Sequence, residues 1–472
     1  MMILHRLGLV LALLLTLLGL YLVIDSIVYL YINILNLAVI CAIAFLAYII
    51  IRAVGSSLNK RFDKSINAFL KGKSKELFDD KPLLRTFGFL LIVLLPFLIF
   101  LLLLSLYATA NFVIYIILLL TYIRLLPWIV LIALGIVAIG TAFAILVGIF
   151  YLFFPPGNKT PGFFLSTKKE RKLWKLTRDV AEEVKARPIN MIKITPLSGI
   201  GVYQEGSLIS TLMGKGKRVL ELGIPALQDL KLEEFKAILA HEYGHFSNRD
   251  TQWSRFTYSM GSSLTSTLNA TPGPAREGPV NIIHLVMYIN PAYWMMLIYV
   301  KLYFKITNGF SRVREVMADI HAMEVYGGKT FSEGLMRVAM NSVIFNSLER
   351  MQIVPMFLKG KVSLNMSGLM SDAYTRAKKA DFDKLKNELL KHGAKHDEYD
   401  SHPALKTRLD YSTKFKTGRA AGSKKATSIF ENWKDINAQA ADKYNARLKQ
   451  LVENAALAAG AQQQDIKKTK SE

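Results

Sequence analysis

The sequence predicts an α-helical membrane region followed by an α+β domain that is mainly helical with a small sheet. Three observations carry this. The 472 residues are 52% hydrophobic with a mean hydropathy of +0.28, more apolar than an ordinary soluble chain. The apolar residues crowd ahead of residue 155, where Phe87 to Ala108 and Trp128 to Phe154 carry no charge, and runs this long are read as helices crossing a bilayer. After Pro155, Pro156 and Gly157 the pattern changes to charged amphipathic stretches alternating with short β-rich ones.

Taken in order, residues 7–24 and 27–51 read as a helical hairpin with Asp25 and Ser26 at its turn, the first arm a retained span rather than a cleaved signal. A basic loop follows over 52–85, with Arg52, Lys60, Arg61, Lys64, Lys71, Lys73, Lys75, Lys81 and Arg85. Residues 87–107, 109–123 and 128–153 are the next helices; 109–123 is short for a crossing and is expected to be re-entrant or packed inside the bundle. Residues 1–155 thus hold four or five spans. The basic residues at 52–85 and at 159–178 favour the cytoplasmic side for both segments, at the cell inner membrane.

Residues 156–432 form the second domain. A charged amphipathic helix covers 166–186, short strands Met191 to Ile194 and Arg218 to Leu222, and a helix Leu227 to Phe246 with Glu233 and Glu234 near its start, where carboxylates suit the helix dipole. Arg218 to Leu222 is expected to offer a sheet edge to an extended substrate. Another apolar run, 281–304, is split by Pro291 and preceded by a polar stretch, so it is expected at the bilayer surface or packed within the protein, with Tyr288, Tyr293, Trp294, Tyr299, Tyr303, Lys301 and Lys305 suiting an interface. The Ala/Gln/Lys-rich tail 433–472 reads as a loose helix or disorder.

The net charge of +23 invites a nucleic-acid reading, but no nucleic-acid-binding motif accompanies it. The single cysteine, Cys41, lies in an apolar run and excludes intrachain disulfides and cysteine-held metals. A transporter is disfavoured because the spans carry few buried charges beyond Asp25 and Arg124.

The chemistry sits in His241-Glu242-Tyr243-Gly244-His245. On a helix, histidines four apart share a face and can reach one zinc ion, and a glutamate directly after the first can take a proton from water that the zinc acidifies. Two surface histidines on an ordinary helix would give the same string. A catalytic zinc needs a third protein ligand, and Ser311 to Asp319 supplies one: Glu315 and Asp319 lie four apart, so Glu315 can ligate while Asp319 accepts the second N–H of a ligand histidine. Alone, that pair would be read as a solvated face.

The string from Arg218 to Pro225, the helix Glu234 to His245, Asn248 to Thr251, and Ser311-Arg-x-x-Glu-x-x-Ala-Asp319 resemble, in the same order, the integral-membrane gluzincins, which include the heat-shock protease HtpX and the CAAX prenyl proteases. The resemblance covers roughly residues 160–410. It implies a gluzincin-type metallopeptidase domain holding one Zn2+ on His241, His245 and Glu315, with Glu242 as catalytic base and Asp319 behind the ligands. It also implies that His402, in Ser401-His402-Pro403, stabilises the oxyanion, with Arg408 supporting the site. Two departures stand out: Lys231 occupies the place of the usual serine cap before the active-site helix, and Ile200 to Glu205 replaces the Asn-Ala-Phe-like strand. The function expected is a membrane-bound zinc endopeptidase acting on unfolded or membrane-associated polypeptides, with the lipid bilayer as its other partner. The alternative is an inactive membrane scaffold or chaperone that keeps the fold. An H-E-x-x-H buried inside a span is disfavoured by the flanking Lys231, Glu233, Glu234, Asn248, Arg249 and Asp250.

Overall fold

The structure, a computed structural model, describes residues 34–72, 81–122, 128–154, 160–205, 215–245, 291–359, 365–392, 402–415 and 422–469, with isolated positions between 14 and 21 and between 257 and 268. The first arm of the expected hairpin, 7–24, lies almost wholly outside these residues.

Helices α1 (Ile34–Leu70) and α2 (Lys81–Tyr122) contain Val39–Leu70 and Pro82–Asn111, the two stretches long and apolar enough to cross a membrane among the described residues. Helix α3 (Trp128–Phe153) holds a shorter apolar stretch, Ala138–Val147, and turns Ile129, Ile132, Ile136, Ile139, Phe143 and Leu146 outward. A patch of that size fits lipid rather than water.

Two expectations for this region need correction. Residues 109–122 are not a separate segment but continue α2. The polar interruptions there are satisfied inside the helix: Thr109 donates to the Ser105 carbonyl and Asn111 to that of Tyr107, each at 2.7 Å. Nor are residues 52–70 a loop; they extend α1. Leu58, Phe62 and Ile66 form a buried stripe at helical spacing, and the basic residues occupy the turns between.

Beyond the membrane helices lies a four-stranded sheet of order β1-β2-β4-β3. Strand β2 (Met191–Thr195) pairs with β1 (Phe163–Phe164) antiparallel and with β4 (Lys217–Gly223) parallel, while β3 (Ile200–Glu205) adds antiparallel to the other side of β4. The expected substrate edge, Arg218 to Leu222, is therefore an inner strand with both sides paired. Among the described residues, the outer edge beside the site belongs to β3.

Helix α4 (Arg171–Glu183) buries Leu173, Trp174, Leu176, Val180 and Ala181. Helix α5 (Leu232–Gly244) is buried on most sides, including Phe235, Ala237, Leu239 and Ala240. No serine caps α5. Instead the backbone N–H of Leu232 donates to the Lys424 carbonyl at 2.8 Å, Ala426 returns a bond to the Leu230 carbonyl at 2.8 Å, and Lys231 N–H donates to Glu234 at 3.0 Å. A distant segment thus satisfies an orphan donor of the helix terminus. The same segment is held by Glu170, whose buried carboxylate accepts from the N–H groups of Glu431 (2.5 Å) and Asn432 (2.8 Å).

Helix α6 (Pro291–Tyr326) is the spine of the molecule, packing on α1, α2 and α5. After it come α7 (Gly328–Leu348), α8 (Met366–Arg376), α9 (Lys379–His392), α10 (Leu405–Ser412) and α11 (Trp433–Thr469). Far from loose, α11 buries Ile436, Ala440, Tyr444 and Leu448, one residue per turn, and Tyr444 bonds Glu349. Its Ala- and Gln-rich composition hides this narrow stripe.

The run 281–304 is described only from residue 291, and that part does not lie flat at an interface. Tyr299 donates to the Leu94 carbonyl at 2.7 Å, well inside the apolar stretch of α2, and Tyr303 donates to the Thr257 carbonyl at 2.8 Å. Polar hydroxyls bound to backbone in this way are cheap to bury. Higher up, Phe310 stacks on Phe87 at 4.6 Å between centroids, with Phe62 edge-on to Phe87 at 5.6 Å. Glu315 lies five residues beyond Phe310, and Pro82 five residues before Phe87 on the antiparallel neighbour; each is a climb of about 7.5 Å. Glu315 therefore stands level with the start of the apolar stretch of α2, at the face of the membrane region.

Candidate metal centre

The site is assembled from three helices. Helix α5 presents His241 and ends at His245, α6 presents Glu315 and Asp319, and α10 presents Arg408 and Tyr411. Gly244 sits where α5 and α6 touch: a Cβ there would meet Ala318 Cα at 2.9 Å and Cβ at 3.1 Å. Two small residues let the backbones approach closely enough for short side chains from both helices to meet.

They do meet. His241 Nε2 is 3.2 Å from His245 Nε2 and 3.6 Å from Glu315 Oε2, and His245 Nε2 is 3.4 Å from Glu315 Oε1. The edge of a tetrahedron with zinc–nitrogen distances of 2.0–2.1 Å is about 3.3 Å, so the three donors already stand at the separations a divalent ion asks for. Among the described residues, these three are the group able to hold a metal. The donor set, two imidazoles and a carboxylate, suits zinc.

Behind the donors lies a buried charged network. Asp319 Oδ1 is 2.8 Å from His241 Nδ1, which leaves Nε2 facing the other donors. Arg408 grips both oxygens of Asp319, at 2.8 and 2.5 Å, and Tyr411 also donates to Asp319. Burial raises the Asp319 carboxyl, but Arg408 and His241 outweigh it and leave the group below its ordinary range. Glu315 is likewise held well below: burial opposes ionisation, and His245, His402 and His241 overcome it. Sequence reasoning missed Tyr411, although its place three residues after Arg408 on one helix face was a usable signal.

Glu242 points toward the β3 edge, where its Oε2 accepts the Val202 N–H at 3.1 Å. Burial raises its pKa, Glu315 adds to the effect, and His241 opposes it. His402 is 62% exposed, yet its Nδ1 reaches to 2.9 Å from Glu315 Oε2. The structure thus brings together every residue the sequence nominated: His241, Glu242, His245, Glu315, Asp319, His402 and Arg408.

Proton competition at the histidines yields a test. In protein stripped of metal, burial lowers the His241 pKa, but the hydrogen bond and charge of Asp319 and the charge of Glu315 raise it to a net value above the ordinary one. Burial pushes His245 down to about 3. A protonated imidazole cannot ligate. His241 is therefore the ligand that falling pH blocks first, at a pH above the free-histidine midpoint, while His245 stays neutral. Zinc affinity should weaken about tenfold per pH unit below that midpoint, one proton per ion. Chelator competition across neutral to mildly acid pH measures the slope; a two-proton slope would show that both histidines titrate.

Comparison with known proteins gives two findings. The model of Peptidase family M48 matches residues 207–414, which include all seven nominated residues. A solved structure, the crystal structure of S. mikatae Ste24p, is similar at 14% identity over 80% of this chain and 98% of that one, with a TM-score of 0.29. No curated protein sequence matches the chain. With the motifs in the family's order and their side chains converging on one point beside the apolar helices, residues 207–414 are similar to Peptidase family M48, and the match supports a membrane metallopeptidase of the gluzincin type.

Proposed function

We propose that the protein is a membrane-bound zinc endopeptidase that hydrolyses peptide bonds in unfolded or membrane-associated polypeptides. The observation that carries this reading is the convergence of His241, His245 and Glu315 at mutual separations of 3.2, 3.4 and 3.6 Å. Held by these three residues, a zinc ion supplies Lewis acidity and lowers the pKa of water to near 7.

The chain's own groups do the proton work. Glu242 takes a proton from the attacking water and delivers it to the leaving amine. Its upward-shifted pKa favours the moment when it carries that proton. His402, exposed and in contact with Glu315, can turn to donate to the developing oxyanion. Asp319 and Arg408 hold His241 in one orientation.

Strand β3 offers the substrate an edge. In its antiparallel ladder with β4, the backbone groups of Ile200, Val202 and Gln204 alternate away from β4, and the Val202 N–H is the one that meets Glu242. An extended polypeptide pairing here lies beside the catalytic base. The level of Glu315 against the start of the apolar stretch of α2 supports a substrate site near the bilayer, within reach of chains that are themselves membrane-associated. We assign the domain to the cytoplasmic side of the cell inner membrane, on the basic residues that flank the spans.

Three outcomes follow. Glu242→Gln should retain zinc and lose cleavage of an unfolded substrate such as casein by roughly 10³-fold; zinc-replete E242Q with full activity would refute Glu242 as the base, and zinc-replete wild type that cleaves nothing would favour the inactive scaffold. Gln204→Pro removes an outward N–H, which an edge strand tolerates, and also the side-chain bond from Nε2 to the Gly216 carbonyl, so Gln204→Ala, which removes the side chain alone, is its control. Q204P should raise KM several-fold with zinc content and melting unchanged, whereas an unaltered KM would reject strand pairing. A cysteine at Lys175, with Cys41 replaced by alanine, should resist an impermeant maleimide in spheroplasts and react in inverted vesicles; the opposite pattern would reverse the sidedness.

A further inference from the structure

In the second half of its apolar stretch, helix α1 carries two polar residues that grip α6 at two points one turn apart, immediately before the proposed ligand Glu315. At the first, the side chain of Asn59 donates through Nδ2 to the Lys305 carbonyl and accepts the Gly309 N–H through Oδ1 at 3.0 Å. Lys305 C=O and Gly309 N–H are the pair that a regular helix joins to each other. A carboxamide from a neighbouring helix thus engages both ends of one rung of α6. Gly309 permits this, since a Cβ at that position would overlap Asn59 Oδ1.

At the second point, Arg312 lies 2% exposed and gives Asp63 a two-pronged bond, Nε to Oδ1 at 3.0 Å and Nη2 to Oδ2 at 3.1 Å. Bidentate geometry of this kind fixes direction as well as distance. Asn59 and Asp63 are four apart on α1, and Gly309 and Arg312 three apart on α6, so one face of each helix is engaged. Two fixings one turn apart set both the rotation and the axial position of α6. Glu315 is the next residue on that side of the helix, three positions on from Arg312.

We propose that Asn59 and Asp63 are positioning residues of the metal centre: the membrane helix α1, through Gly309 and Arg312, holds Glu315 at the distance from His241 and His245 that ligation needs. The inference rests on the zinc reading above and adds to it that the metal site is not complete within the M48-matched segment, since α1 lies outside residues 207–414. Small rotations matter here because a carboxylate has a short lever arm and metal ligation tolerates only fractions of an ångström.

The full-length protein in nanodiscs, with zinc affinity read by chelator competition and the cobalt-substituted absorption spectrum as a geometric readout, tests this. Wild type should bind zinc; if it does not, the zinc reading itself fails and the variants say nothing further against it. Given binding by wild type, Asp63→Asn and Arg312→Lys should each weaken zinc by roughly tenfold or more and alter the cobalt spectrum. Asp63→Glu, which keeps the charge and the two oxygens, should recover most of the affinity. Gly309→Ala, which displaces the Asn59 side chain without touching any charge, should act in the same direction and serves as the test if the charge variants lose their cooperative melt. Variants that melt normally and show wild-type zinc affinity and cobalt spectrum would overturn the proposal.

Discussion

The close approach of α5 and α6 is the constraint on which the site depends. Histidine and glutamate side chains are short, and two helices packed through large residues would hold their donors too far apart to share an ion. Gly244 against Ala318 removes that bulk at the level where it is needed. The glycine inside the His-Glu-Tyr-Gly-His string and the alanine before Asp319 are thus part of the metal geometry, although neither offers a donor atom. The remaining packing serves this contact: α5 is enclosed by the sheet, α4 and α7, and its terminus is capped from Lys424.

The charges around the site argue independently for a cation. Among the described residues, Glu315 and Asp319 are both held ionised and Glu242 stands beside them, against the buried guanidinium of Arg408 and the His241 imidazole, whose pKa Asp319 raises. Burying unbalanced carboxylates is costly, and a fold tolerates it where something supplies the missing positive charge. A divalent ion between the two imidazoles and Glu315 would do so. It would also oppose the upward shift that burial gives the Glu242 pKa.

Much of this was legible in the sequence because helices report themselves by spacing. The i,i+4 pairs His241–His245 and Glu315–Asp319 needed only the 3.6-residue period to be put on common faces. Strand order did not carry the same information. β3 and β4 are sequence neighbours and their pairing is unsurprising, but nothing local says that β4 also pairs with β2, and that second partner moves the outer edge to Ile200–Glu205. Composition misled at α1 and α11. Lysines and arginines around Leu58, Phe62 and Ile66 looked like a loop, and alanines and glutamines around Tyr444 and Leu448 looked like a tail, because a stripe one residue wide per turn is enough to pack a helix yet hardly changes the average. Asp63 and Asn59 left no local signal at all: their partners lie some 249 residues away, and only the folded chain joins them.

The vertical order of the contacts along α6 ties these levels together. From its start the helix meets Leu94 in the apolar stretch of α2, then Asn59 of α1, then Phe87 and Phe62, then Asp63 of α1, then offers Glu315 to α5, and finally reaches α4 through His321 and Tyr326. A helix is stiff over such a length, so its register against the membrane helices is transmitted to the donor atoms with little loss. On the proposal above, the membrane region does more than anchor the domain: it positions Glu315, one of the three proposed donors. The same rigid helix that sets Glu315 against the histidines also sets it level with the first apolar turn of α2.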